Sequence, residues 1–248
     1  MRYFLGSQDM RTLSQAQQQC VLLSNGLGGY ASVSAAFSVP RCDQGILIAA
    51  VKAPNVRISM VHRVRERLCI GGEKRYLSSQ GFAKNGRSED GYRYLSDFSL
   101  DVVPVWPYRL RGVTVKRTLC MGWGKNTAAL LYEIENLSGE NCVLQVDPFL
   151  KFAPKETALE EKKDFRYAHG SVSDGQYTLY IHTDGNLRKL PVTWQNLAYP
   201  EDARDGRPAG GLSGGCCRIS VTVPAGSCEF FFSTSASHIF NVFFSKKV

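Results

Sequence analysis

The 248-residue chain has no apolar run approaching the ~20 residues that a membrane-spanning helix requires. Met1 is followed by a short polar segment without an apolar stretch, so no secretory signal is read and a cytoplasmic setting is expected. Histidine is scarce at four, and none of the eight cysteines stands in a Cys-x-x-Cys pair. A zinc site is therefore not expected, nor is any cofactor, and the cysteines read as reduced thiols, several of them in strand-like stretches where a thiol acts as a small hydrophobe. There is no Gly-x-Gly-x-x-Gly and no Lys-Ser/Thr after a glycine run, which excludes the common nucleotide loops. No internal repeat or low-complexity tract is present, and helical periodicity is weak.

What is present is period-two alternation. Val113, Val115, Arg117, Leu119 and Met121 fall on one face of an extended segment, with Arg117 an exception expected near a rim. Segments 130–134, 142–146, 177–182, 217–223 and 228–233 read the same way. Gly71-Gly72, Arg111-Gly112, Ser138-Gly139, Asp174-Gly175 and Ala225-Gly226 supply hairpin chemistry. The pattern predicts an all-β, antiparallel two-sheet sandwich with one or two short helices. One helical turn is expected within 13–23, capped by Ser14, and another within 156–163. The glycine-rich stretch 205–215 reads as one long loop.

The net charge of +8 and pI near 9.1 raise the question of nucleic acid. The cations are dispersed: Arg57, Arg63, Arg65 and Arg67 alternate as on the wet face of a strand, and no binding motif accompanies them. Nucleic acid is not the expected partner. Paired carboxyl groups are a common source of general acid and base chemistry. Asp97, Asp101, Asp147, Asp202 and Asp205 all sit at strand ends and turns, where the expectation is turn formation or solvation, and no catalytic pair is nominated. His62, in an extended segment, reads as packed rather than as a base.

The densest local signal is Asn25-Gly26-Leu27-Gly28-Gly29-Tyr30-Ala31-Ser32. Glycine costs about 1 kcal/mol relative to alanine inside a helix, so this run marks a sharp turn or a close backbone approach. The stretch resembles the opening signature of the N-terminal domain of glycogen debranching enzymes of the amylo-α-1,6-glucosidase type. Gly45-Ile46-Leu47-Ile48-Ala49-Ala50, Gly91-Tyr92-Arg93-Tyr94-Leu95-Ser96-Asp97-Phe98, Pro104-Val105-Trp106-Pro107-Tyr108 and Gly124-Lys125-Asn126-Thr127 continue the likeness in order, as do Tyr199-Pro200 and Arg204-Asp205-Gly206-Arg207. Only Arg41 and Gly45 of the stretch 39–45 fit the family pattern, so a role for that loop is in question.

The resemblance implies a β super-sandwich that packs on a helical barrel carrying both catalytic carboxylates. It implies a lead-in segment at 1–19, the sandwich at 20–238 and a tail at 239–248, as in a truncated, split or excised N-terminal domain. The implied role is non-catalytic: to support the barrel and lend loops to an α-glucan cleft (glycogen or maltooligosaccharide). The residues expected there, for substrate or for the barrel, are Asn25, Gly28, Tyr30, Arg41, Tyr92, Tyr199, Arg204 and Asp205. Tyr30, Tyr92 and Tyr199 are favoured for sugar stacking, whereas Trp106 and Tyr94 read as core. An autonomous carbohydrate-binding module is the alternative, and a basic nucleic-acid-binding β protein a weaker one. Phe240, Phe243 and Phe244 are expected to form part of an exposed apolar docking surface.

Overall fold

A computed structural model describes residues 3–52, 55–84 and 86–237. Its architecture is two large antiparallel sheets packed face to face. The nine-stranded sheet runs, in spatial order, Tyr3–Gly6, Asp97–Leu100, Pro104–Leu110, Val113–Met121, Thr127–Asn136, Ser227–Ser237, Thr178–Thr183, Ser171–Ser173 and Arg166–Ala168. The second sheet runs Asn186–Ala198, Gly210–Val223, Cys142–Pro154, Val56–Ile70, Gly45–Lys52, Tyr30–Ser34 and Cys20–Ser24, with Glu73–Tyr76 pairing onto Val56–Ile70. Ser79–Gly81 and Ser88–Asp90 form a separate hairpin.

The expected alternation is what builds the layers. In Thr127–Asn136 every second side chain from Ala128 is buried, ending in Asn136. Val113, Val115 and Leu119 face the opposite sheet, where Leu68, Leu144, Val146 and Ile219 meet them in one core. The hairpin glycines Gly71, Gly72, Gly112, Gly139, Gly175 and Gly226 all take positive φ, as their turns require.

Several local expectations are corrected. The first helix spans Leu13–Gln18 and is capped by Thr12, whose hydroxyl accepts from the Gln15 amide while the Gln15 side chain returns to Thr12, a reciprocal cap that Ser14 does not make. Segment 156–163 holds no helix, and the second helix is Pro200–Arg204, with proline at its start. The lead-in segment packs as well: Met10 and Ala16 are buried and Tyr3–Gly6 adds an edge strand. The tail 239–248, with Phe240, Phe243 and Phe244, lies outside the described residues.

Arg117 is the largest correction. It is not at a rim but between the sheets, 1% exposed, paired with Glu66 from the opposite sheet. Its other guanidinium nitrogen donates to the Tyr108 hydroxyl, and Tyr132 donates to the second Glu66 oxygen at 2.5 Å. The guanidinium carbon stands 3.4 Å from the Phe37 ring centroid and 5.2 Å from that of Trp106. Phe37 reaches that place from a left-handed backbone, φ 54°, rare for a bulky residue. Burial raises the Glu66 carboxyl pKa despite Arg117 and Tyr132, which pull it down.

The stretch 205–215 is not one loop either, because a strand begins at Gly210 and runs to Val223. Its glycines are explained by what lies across them. A β-carbon on Gly211 would meet Tyr199, one on Gly214 would meet Phe165 at 2.6 Å and Trp194 at 2.9 Å, and one on Gly215 would meet Phe149. Aromatic rings lie directly on bare backbone.

Candidate functional site

The signature loop is built around Asn25, which is fully buried. Its side-chain oxygen accepts from the amides of Leu27 and Gly29, both at 2.9 Å. Its side-chain nitrogen donates to the Lys125 carbonyl and to Asn126 Oδ1, each at 3.0 Å, and its carbonyl accepts from the Gly124 amide at 2.7 Å. Asn126 in turn exchanges two hydrogen bonds with the backbone of Ala50. Two loops and one strand are thus clasped by a pair of asparagines. Gly26 and Gly28 have positive φ, and a β-carbon on Gly29 would lie 2.6 Å from Asn25 Nδ2 and 2.9 Å from the Ile48 carbonyl oxygen. Trp123 covers Gly26 and is otherwise 81% exposed. Asn25→Ala strips four side-chain hydrogen bonds from this clasp and is expected to cost about 2 kcal/mol, since buried donors and acceptors lose their partners. A chemical-denaturation midpoint unchanged from the parent would refute that account of the loop.

The second half of the site joins the loop around Arg41 to the helix Pro200–Arg204. Asp202 is completely buried and organises the junction. It accepts from the Cys42 amide at 2.7 Å and from Arg41 Nη1 at 3.2 Å, with Arg207 Nε at 3.4 Å. Arg41 also reaches Asp205 at 2.5 Å, and the Glu201 amide donates to the Pro40 carbonyl. The Arg41 hydrogen bond holds the Asp205 carboxyl below the ordinary aspartate range. Tyr30 ties in the signature loop by donating its hydroxyl to the Asp43 carbonyl at 2.6 Å. A shallow concavity of about 360 Å³ opens between Tyr30, Arg41, Asp43 and Arg57.

Beneath this rim lie buried polar groups. Lys151, wholly buried, donates to the Cys42 and Lys155 carbonyls, both at 2.9 Å, and lies 3.2 Å from Cys42 Sγ. Burial lowers its pKa and raises that of the Cys42 thiol. His62 is also buried, its ring 5.7 Å from that of Tyr199, and neither imidazole nitrogen has a hydrogen-bond partner among the described residues. Burial, followed by the charges of Lys151 and Arg63, pushes its pKa well below 6.5. The folded chain refuses a proton that the unfolded chain accepts. Stability from this group is therefore complete above pH 6.5 and is lost as pH falls below it. His62→Phe should flatten the stability profile between pH 6.5 and 5, and a profile as steep as the parent's would remove His62 as the cause.

The family comparison decides what this architecture is. The description "Glycogen debranching enzyme N terminal" matches residues 19–228. The chain belongs to that family. No curated protein matches the sequence. Among solved structures, a human-microbiome protein assigned as a kojibiose phosphorylase is similar at 10% identity and TM-score 0.39, over 88% of this chain and 29% of that one. A bacterial glucoamylase complexed with acarbose gives 7% identity and TM-score 0.39, over 88% of this chain and 32% of the other. An Escherichia coli K12 protein assigned as an aldose 1-epimerase gives 10% identity and TM-score 0.43, over 90% and 99%. The chain spans less than a third of the first and second of these.

In this glycogen-debranching N-terminal domain, the expected residues Tyr30 and Arg41 line one concavity, Asp205 is paired to Arg41, the Gly28 carbonyl accepts from Arg57 on the same wall, and Asn25 fixes the loop that leads into Tyr30. Arg204 lies beside them on the helix, exposed and hydrogen-bonded to Glu201 at 2.7 Å. Tyr92 is elsewhere, in a tight turn whose amide donates to Ser79 Oγ under the cation of Arg93. Tyr199 is 0% exposed, so its ring packs on His62 and offers no face to a sugar. Trp106 is buried as expected, donating its indole NH to the Ala35 carbonyl, whereas Tyr94 is half-buried. Asp147 and Asp202 are not solvated: Asp147 is held by Arg65, Arg67 and Arg218. Arg63 is likewise not on a wet face, being buried against Glu89. Asp202, Lys151 and Trp123 were not singled out for the site from sequence. A lysine inside the apolar run Phe149-Leu150-Lys151-Phe152 was the available signal for one of them.

Proposed function

We propose that this domain is the non-catalytic N-terminal β-sandwich of a glycogen-debranching-type α-1,6-glucosidase. It buttresses a helical catalytic barrel and presents the Arg41–Asp202–Asp205 rim, with Tyr30 and exposed Trp123, to that barrel or to one wall of an α-glucan cleft. The family match supports the enzyme class. The observation that carries the non-catalytic role is the state of the rim carboxylates: Asp202 and Asp205 are both paired to the same arginine. An anionic Asp205 with a lowered pKa does not serve as the general acid that glycoside cleavage requires. The rim is built to hold a shape. The eight unpaired cysteines support a reducing, cytoplasmic setting.

The purified chain is expected to release no glucose from limit dextrin, and to bind maltooligosaccharides weakly without a barrel. Turnover that disappears on mutating an acidic residue of this chain would overturn the reading. Millimolar-or-tighter binding that is lost on Trp123→Ala would replace it with an autonomous carbohydrate-binding module.

A further inference from the structure

A second concavity, of about 620 Å³, lies away from the rim, between the strand Asn186–Ala198 and residues 82–84 and 87–89. That is within the ordinary size range of small-molecule sites. Its walls combine three kinds of group. Trp194, Phe82 and Tyr76 supply aromatic surface. Lys84, Arg87 and Lys162, all exposed, supply cationic heads. Gln195 and Asn196 supply amides.

The aromatic wall is prebuilt. Phe165 stacks on Trp194 at 5.2 Å with the rings 26° apart, and both settle over the missing side chain of Gly214. An indole fixed in this way pays little ordering cost on binding. The electrostatics are one-sided. Glu89 lines the concavity but is spent on buried Arg63, which also donates to Gln195 at 3.0 Å. Two residues and four residues along the same strand face stand Arg65 and Arg67, the latter opposite Tyr76 in register. With Arg218 they share a single carboxylate, Asp147, which leaves the neighbouring surface cationic. A neutral glucan has no use for that charge. An aromatic face takes the C–H face of a pyranose, and amides take its hydroxyls. The cations fit an anionic substituent on that ring.

We propose that this groove binds a phosphate monoester of a glucose unit, with the pyranose against Trp194 and the phosphate between Lys84 and Lys162. The aromatic and cationic character of the site stands on the groove, and the choice of glucose as the sugar rests on the α-glucan reading proposed above. The shared ligand chemistry has two sources, a free hexose phosphate or a phosphate ester carried on a glucan chain.

Calorimetric titration of the full chain with glucose 6-phosphate, glucose and inorganic phosphate tests it. Glucose 6-phosphate is expected to bind at least tenfold tighter than either of the others, and to weaken as salt is raised. The double variant Lys84→Glu/Lys162→Glu, on exposed positions, should weaken it at least tenfold with an unchanged melting temperature. Trp194→Leu should abolish the preference over inorganic phosphate, and tryptophan fluorescence quenching by glucose 6-phosphate in the parent gives an independent readout if that variant folds poorly. Phosphorylated amylopectin, compared with the same polymer after phosphatase treatment, separates the sources. Retention of only the phosphorylated polymer identifies the glucan-borne ester, and binding of glucose 6-phosphate without polymer retention identifies the free metabolite. Equal affinity for glucose 6-phosphate and inorganic phosphate, no binding of either sugar phosphate, or indifference to the double charge reversal would each overturn the proposal.

Discussion

Arg117→Met is expected to destabilise the domain by about 3–5 kcal/mol, the range found when one partner of a buried ion pair is removed and the other charge is stranded. Glu66 would keep only the Tyr132 hydroxyl. Tyr108 would lose its charged donor, and the rings of Phe37, Trp106 and Tyr108 would lose the cation they surround. Glu66 would respond by holding its proton more tightly. Its folded pKa, already raised above 4.5, would rise further. For a raised carboxyl, the folded state binds more protons than the unfolded one, so stability is retained at low pH and lost as pH rises through the folded pKa. The deficit of the variant should thus be larger at pH 7 than at pH 5. Adding Glu66→Gln in the same background should recover part of the loss. Urea titrations showing less than ~1 kcal/mol for the single variant would remove the pair from any structural role, since surface pairs already reach that value.

Asp202→Ala is expected to be nearly as severe, at about 3 kcal/mol, because a buried charged acceptor is worth roughly 1.5–3 kcal/mol per hydrogen bond and the Cys42 amide would be left without a partner. The loop around Arg41 and the helix Pro200–Arg204 would lose their common anchor. Asp205→Ala serves as the contrast. Its carboxylate lies in solvent, and its loss should leave the unfolding midpoint unmoved. Limited proteolysis should then find new cleavage around residues 40–45 and 200–207 in the first variant and not in the second. Equal behaviour of the two variants would show that Asp202 does not organise the rim.

Much of the fold was legible because alternation and turn chemistry are local. Val113–Met121 and the hairpin glycines needed only a window of a few residues. Which strands neighbour one another was not, because Ser227–Ser237 inserts between Thr127–Asn136 and Thr178–Thr183 through pairings about fifty and a hundred residues apart. Arg117 was misplaced for a related reason: a charged residue on an apolar face reads as a rim position until its partner, fifty-one residues earlier, is known. In the site, Asn25 and its glycines announced a turn, but their contact with Asn126 lies a hundred residues away. Asp202 read as one more turn-forming or solvated acid. Its importance comes from Cys42 and Arg41, which sequence spacing does not connect to it.

The strand Gly210–Val223 also inverts the usual expectation of where a protein tolerates change. Its opening residues have the composition of a linker, the kind of stretch in which insertions and replacements are normally absorbed. Here the absence of side chains is itself the complementary surface: Tyr199 behind the rim, Trp194 in the groove and Phe149 beneath the arginines all press against the same short length of main chain. Inherited variation at Gly211, Gly214 or Gly215 would in each case displace a different ring, Tyr199, Trp194 with Phe165, or Phe149. A methyl added at Gly211 would press on the ring behind the edge proposed to face the barrel, and one added at Gly214 on the ring in the sugar-phosphate groove, so one short strand constrains both surfaces.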